Sequence, residues 1–151
     1  MCIELLGQCA FDCILLAGRY TLLEQPALEG LLPLCEQKRV SILCGGPFNS
    51  GILATGSRST AAHYNYAPPP PAVIERVRQL EQVCAEFDVP LPAAALQFPL
   101  GHRAIASVVA GCVTAQEAAN AAKLFSNPIP REFWQTLRQR GLVDARAPLP
   151  T

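Results

Sequence analysis

An α/β fold built on parallel strands is the class this sequence predicts, on three observations. Short apolar runs at Phe11–Leu16, Val40–Cys44 and Ile105–Val109 show little in/out alternation, as strands buried on both faces do. Each run meets a glycine within a few residues, at Gly18, Gly45 and Gly111. Segments of helical periodicity lie between the runs, and strand–helix alternation is the pattern of parallel sheets joined by crossovers.

In chain order, "MCIELLGQ" reads as a helical stub ahead of the first strand. Residues 26–38 place Leu28, Leu31, Leu32 and Cys35 on one face. Pro26 suits a first helical turn, whereas Pro33 predicts a kink or break. After the second strand, residues 46–70 form a long loop with glycines, Tyr64-Asn65-Tyr66 and the prolines 68–71; loops of this length tend to carry function or be disordered. Residues 71–87 space Val73, Val77, Leu80, Cys84 and Phe87 along one stripe, the clearest amphipathic helix of the chain. A shorter helix is predicted over 92–102. Thr114, with Glu117 three residues on, forms a capping box for the helix after the third strand. Pro130 and Gly141 bracket a final helix. Asp12 marks the entrance of the first strand and Trp134 is a packing anchor. The tail, 144–151, is expected to be loose.

Half of the 151 residues are hydrophobic, 16% are charged and the formal net charge is zero. This composition builds a core and carries no electrostatic footprint for nucleic acid or an anionic membrane. Seven cysteines, none in a CxxC pair, read as reduced thiols of a cytoplasmic protein, most of them core residues. No signal peptide or membrane span is apparent in the sequence. The two histidines, His63 and His102, stand far apart without paired carboxylates, so no metal site is expected. Three strands alone leave two open sheet edges, so the chain is expected to be part of something larger.

Six segments in order carry a resemblance: "LLAGRYTLLEQ" (15–25), "GGPFNSGILATG" (45–56), "HYNYAPPPPAVIERV" (63–77), "VPLPAAALQFPLGH" (89–102), "VVAGCVTAQEAANA" (108–121) and "NPIPREFWQTLRQRGLV" (127–143). Together they resemble the C-terminal half of aldo-keto reductases, in particular bacterial D-threo-aldose 1-dehydrogenases and the L-fucose and pyridoxal dehydrogenases near them. The resemblance implies a partial (β/α)8 TIM barrel over residues 1–143, holding the last three parallel strands with their helices, and ligands at the C-terminal strand ends. It implies that Gly46, Pro47, Phe48, Asn49, Ser50, Gly51 and Ile52 wrap a dinucleotide pyrophosphate, which glycines let the backbone approach. It places the adenosine end at Gly111, Cys112, Val113, Thr114, Gln116, Glu117 and Asn120, where a helix N-terminus favours an anion.

Two departures bear on the cofactor, NAD or NADP. Many relatives stack a tyrosine on nicotinamide where this chain has Gly45 or a close neighbour. Many also hold the 2′-phosphate of NADP with Lys-Ser and an arginine, where this chain has Gly111-Cys112 and no basic residue before Lys123. NAD is slightly favoured. The family transfers hydride between cofactor and a small carbonyl or sugar, with a tyrosine, lysine, aspartate and histidine from the first half of the barrel. Tyr20, Tyr64, Tyr66, His63 and His102 do not match that set, so no catalytic residue is expected here and the chain alone is expected to be inactive. It would then be a gene fragment, a stretch of a longer reading frame, or a half that pairs with another chain. The alternative is a non-catalytic assembly module that docks, or self-associates, through an exposed barrel seam.

Overall fold

The structure, a computed structural model, describes residues 2–151. Its sheet has three parallel strands in the order of the chain: β1 (Cys13–Ala17), β2 (Ser41–Gly45) and β3 (Ile105–Val109). β1 and β2 pair in register from Cys13 with Ser41 to Ala17 with Gly45. β2 and β3 pair from Ile42 with Ile105, with a register shift between Ile42 and Leu43 that sets Leu43 opposite Ser107 and Gly45 opposite Val109. All three strand C-termini therefore sit side by side, where the loops after them converge.

The helices are α1 (Cys2–Gln8), α2 (Leu31–Lys38), α3 (Ile52–Thr55), α4 (Pro71–Glu86), α5 (Leu91–Gln97), α6 (Ala115–Phe125) and α7 (Arg131–Gln139). The predicted 26–38 helix is divided, but not by Pro33. Pro26–Glu29 forms a 3-10 turn, Gly30 breaks the chain, and Pro33 sits in the first turn of α2, where its missing N–H has no intrahelical partner to lose. The 92–102 segment is α5 followed by a 3-10 turn over Phe98–Gly101. The long loop is not bare chain: Asn49–Gly51 makes a 3-10 turn that runs into α3.

Strands buried on both faces were expected; the structure buries one. Leu16, Ile42 and Cys44 lie under the helices, while Leu15 is 62% and Val109 47% exposed on the opposite face. Only one layer of helices covers this sheet among the described residues. Below it the core gathers Tyr20, Phe98, Phe133, Trp134, Leu32, Leu80 and Leu137, all essentially sealed from water. Phe133 stands edge-on to Trp134 at 5.0 Å between ring centroids, and Trp134 is the expected anchor of the last helix. Each such side chain contributes about 1.5–3 kcal/mol of burial. α4 buries Val77, Leu80 and Cys84 of the stripe its periodicity predicts, adds Val83, and leaves Val73 and Phe87 half-buried.

The tail is not loose. Ala147 is fully buried, its carbonyl accepts from the Arg138 guanidinium at 2.6 Å, and the Asp144 amide donates to Gln25 Oε1 at 3.1 Å. Pro148 and Leu149 pass so close to Gly101 that a Cβ there would lie 2.5 Å from Pro148 O. The fork of Arg146 on Asp144 holds that carboxyl down at about 2. The cysteines also divide differently from expectation. Cys35, Cys44 and Cys84 are buried, but Cys9, Cys13 and Cys112 are exposed and Cys2 is half-buried.

Candidate functional site

β2 ends at Gly45 and the chain leaves the sheet through Gly46, at φ +62°. Asn49 (φ +48°), Ser50 (φ +60°) and Gly51 (φ +108°) then follow one another in left-handed conformations, which fold the loop back so that Ile52 can open α3. The Gly51 amide donates to Phe48 O at 3.0 Å and the Asn49 amide to Gly46 O at 3.1 Å. Two consecutive non-glycine residues there cost roughly 1–3 kcal/mol each, a pattern found at ligand clamps. After β3 the chain turns through Gly111 and Cys112 into α6. Thr114 Oγ1 accepts from the Glu117 amide at 3.1 Å, and Glu117 Oε2 accepts from the Val113 amide at 2.7 Å. The predicted capping box is therefore present, closed one residue further out than expected.

These two turns face each other across a cavity of about 540 Å³, within the range of small-molecule sites. Gly46, Pro47, Phe48, Ser50, Gly51, Gly111, Cys112, Glu117 and Asn120 line it, together with Ala54, Pro92, Ala121 and Leu124. The remaining residues singled out from sequence stand back from the wall. Asn49 and Ile52 are buried beneath their loop, and Val113, 93% exposed, points away from the core. Thr114 is occupied as the N-cap, and Gln116 Nε2 donates to Asn120 Oδ1 at 2.9 Å. The four lining residues sequence reasoning missed come from α3, α5 and α6. For two of them a signal exists: Glu117, Asn120, Ala121 and Leu124 follow i, i+3, i+4, i+7 on one face of α6.

Among the described residues the wall carries no lysine or arginine. A Cβ added at Gly51 or Gly111 would meet no protein atom within 4 Å, so the space beside each is open to a ligand. Among the described residues the ionisable side chains on the wall are Cys112 and Glu117. Gly45 itself is buried; its missing side chain would lie 3.6 Å from Ala17 Cβ and 3.7 Å from Leu15 Cδ1, on the uncovered face of the sheet.

The loop after β1 is braced. Thr21 Oγ1 accepts from the Glu24 amide at 3.0 Å, and Gln25 Nε2 donates to Thr21 O at 2.6 Å. The Tyr64 hydroxyl, from the long loop, donates to the Glu24 carboxylate; burial, then that carboxylate, pushes the phenol pKa up. Tyr20 is wholly buried, with its hydroxyl lacking a hydrogen-bond partner, as does Asn49 Oδ1. Burial, with Cys44 and Asp144 nearby, pushes the Tyr20 phenol far up, so it stays protonated at neutral pH, sealed from solvent and from the cavity wall. His102 lies at the other end of the strands. Its Nδ1 accepts from the Ala104 amide at 3.2 Å, so the 3.7 Å approach to Glu36 is not an ion pair. Burial pushes its pKa down, and Arg103 takes Glu36 instead at 2.7 Å. His63 is exposed, its Nδ1 2.9 Å from Ala61 O.

Among the described residues no group of three or more His, Cys, Asp or Glu is arranged to hold a metal, and no helix is long and apolar enough to cross a membrane.

The sequence over residues 7–140 matches the aldo/keto reductase family. It is 41% identical over 140 residues to a pyridoxal 4-dehydrogenase of Microbacterium luteolum, covering 93% of this chain and 41% of that protein. It is 38% identical over 132 residues to a D-threo-aldose 1-dehydrogenase of a Pseudomonas species, covering 87% of this chain and 40% of that one. The fold superposes on a holo-form aldo-keto reductase from Bacillus halodurans with a TM-score of 0.70 at 24% identity, over 95% of this chain and 46% of the other. It also superposes on a glycerol dehydrogenase from Gluconobacter oxydans, with a TM-score of 0.67 at 14% identity, over 96% and 46%. The chain thus spans about two fifths of the curated relatives it matches.

Proposed function

The chain belongs to the aldo/keto reductase family, and from that premise we propose that it carries the nucleotide-binding half of an NAD(P)-dependent oxidoreductase acting on aldoses or similar small carbonyls. The observation that carries this reading is the single cavity shared by the loop after β2 and the turn into α6. Gly46 to Gly51 would lie along the pyrophosphate, where peptide N–H groups and the absence of side chains allow close approach. The N-terminus of α6, with Glu117 and Asn120, would receive the adenosine end. Bound there, the cofactor supplies the hydride chemistry; these residues bind and orient it.

NAD is favoured over NADP. A 2′-phosphate at the mouth of α6 would meet the Glu117 carboxylate and no lysine or arginine of the cavity wall, and an unpaired phosphate is a large electrostatic penalty. By the family resemblance the tyrosine, lysine, aspartate and histidine of proton transfer belong to the other half of the barrel, so the 151 residues alone bind nucleotide without turnover. Unpaired thiols support a reducing, cytoplasmic setting.

The test is a fluorescence titration of the purified chain with NADH and NADPH, alongside assays with D-arabinose, L-fucose and pyridoxal. Saturable NADH binding, weaker NADPH binding and no turnover are expected. Absence of any nucleotide binding refutes the reading, and turnover refutes the division of labour.

A second reading rests on the uncovered sheet face, where Leu15 and Val109 are bare. In it the chain is a non-catalytic module that docks on another half-barrel through that seam. Light scattering separates the two: a monomer that binds NADH supports the first, and a tight assembly without nucleotide affinity supports the second.

A further inference from the structure

A second cavity, of about 230 Å³, lies at the N-terminal ends of β2 and β3, the far end of the sheet from the glycine turns. Its wall holds Glu36 of α2, Arg39 just after that helix, Ser41 at the start of β2, and Arg103 and Ala104, which lead into β3.

The polar groups of this wall are unequally committed. Arg103 is spent in part on Glu36: its Nε lies 2.7 Å from Oε1 and its Nη2 donates to Oε2 at 2.8 Å, so both carboxylate oxygens are matched. His102 Nδ1, 3.7 Å from Glu36 Oε1, accepts from the Ala104 amide at 3.2 Å, so the ring adds no charge. The carbonyls that close α2 are also taken. Cys35 O accepts from the Val40 amide at 2.9 Å and Glu36 O from the Arg39 amide at 3.2 Å. The Arg39 guanidinium, Arg103 Nη1 and Ser41 Oγ, by contrast, have no hydrogen-bond or ion-pair partner among the described residues. Two guanidiniums against one carboxylate leave this wall with an unpaired positive charge. Arg39 also stands at φ +59°, where a helix usually ends on glycine.

We propose that this cavity is a binding site for a phosphate group, free or on a small phosphate monoester, held by Arg39 with Ser41 and the spare Nη1 of Arg103. Guanidinium forks match phosphate oxygens two at a time. A dianion gains more than a carboxylate from an unpaired positive charge. The site shares no residue with the cavity between the glycine turns and does not depend on the nucleotide reading.

Wild type, Arg39→Gly and Ser41→Ala are titrated calorimetrically with inorganic phosphate, glycerol phosphate and acetate at constant ionic strength. Glycine suits the left-handed position, so Arg39→Gly removes the guanidinium without a folding penalty. Wild type is expected to bind phosphate saturably and acetate at least about tenfold more weakly. Arg39→Gly is expected to lose at least about tenfold in phosphate affinity and Ser41→Ala about threefold, and saturating NADH to leave phosphate binding unchanged. Glycerol phosphate bound at least as tightly as phosphate identifies a monoester as the ligand, and weaker binding identifies the free ion; both support the site. Phosphate bound no better than acetate, or phosphate binding unaltered in Arg39→Gly, overturns the proposal. So does displacement of phosphate by NADH, which would put the ion in the other cavity.

Discussion

Cys44 and Cys84 sit beneath the helices with their thiols cut off from water. Burial pushes Cys44 up to about 11, and burial with Glu81 nearby pushes Cys84 to about 12. The folded chain therefore keeps these protons after the unfolded chain, whose thiols titrate near the ordinary 9.0, has lost them. Their contribution to stability is complete below pH 9 and declines as the pH rises from 9 towards 11. The urea midpoint is expected to fall between pH 8.5 and 10.5, and the slope of that fall to be shallower in Cys44→Ala. Thiol labelling of the native chain at pH 8 should modify Cys9, Cys13 and Cys112 quickly and leave Cys35, Cys44 and Cys84 until unfolding. Gly111 answers a different question. A Cβ there meets nothing within 4 Å, so Gly111→Val should leave the thermal midpoint within about 2 °C while its side chain enters the cavity and weakens NADH binding at least about tenfold. An unchanged affinity would show that the open space beside Gly111 is not ligand space.

Among the elements, three helices end in one way. Arg39 (φ +59°), Asp88 (φ +54°) and Gly141 (φ +66°) each follow a helix in the left-handed region. The next amide, of Val40, Val89 and Leu142, returns to Cys35, Cys84 and Leu137 O, each at 2.9 Å, the Schellman closure. Only Gly141 was legible in the sequence, because glycine is the residue that announces the conformation; arginine and aspartate adopt it at a cost that shows in no pattern. Asp88→Gly is therefore expected to stabilise the fold by up to about 1 kcal/mol in chemical denaturation. Gly101→Ala should do the reverse, forcing the tail off the 3-10 turn; limited proteolysis after Val143 reads this out. Trp134→Ala should cost about 3–5 kcal/mol. The strands, α4 and the two glycine turns were legible because apolar runs, a 3.6-residue stripe and clustered glycines are local signals. The course of the tail was not, since it depends on Ala147 finding a slot that Arg138 and Gly101 create. Nor were Ala54 and Pro92, small residues brought to the cavity only by the packing of α3 and α5.

At the scale of the whole molecule, the sheet has a covered face and an uncovered one. Leu15 and Val109 lie on the latter, Phe11 is 39% exposed just before β1, and Phe125 is 47% exposed at the end of α6. α6 buries none of its residues. In the family barrel both would be met by further strands and helices; here they are solvent-exposed apolar surface that favours association. Dye binding and concentration-dependent light scattering are expected, and Leu15→Lys with Val109→Lys should suppress both at little cost in stability. The central claim concerns the opposite, loop-bearing end of the sheet: that the loop after β2 and the turn into α6 form one nucleotide site. Hydrogen exchange with and without saturating NADH tests it most directly. Slowed exchange in residues 46–52 and 111–117 together, with α4 and α7 unchanged, is the predicted result. Protection in neither segment, or in one of them alone, would contradict it.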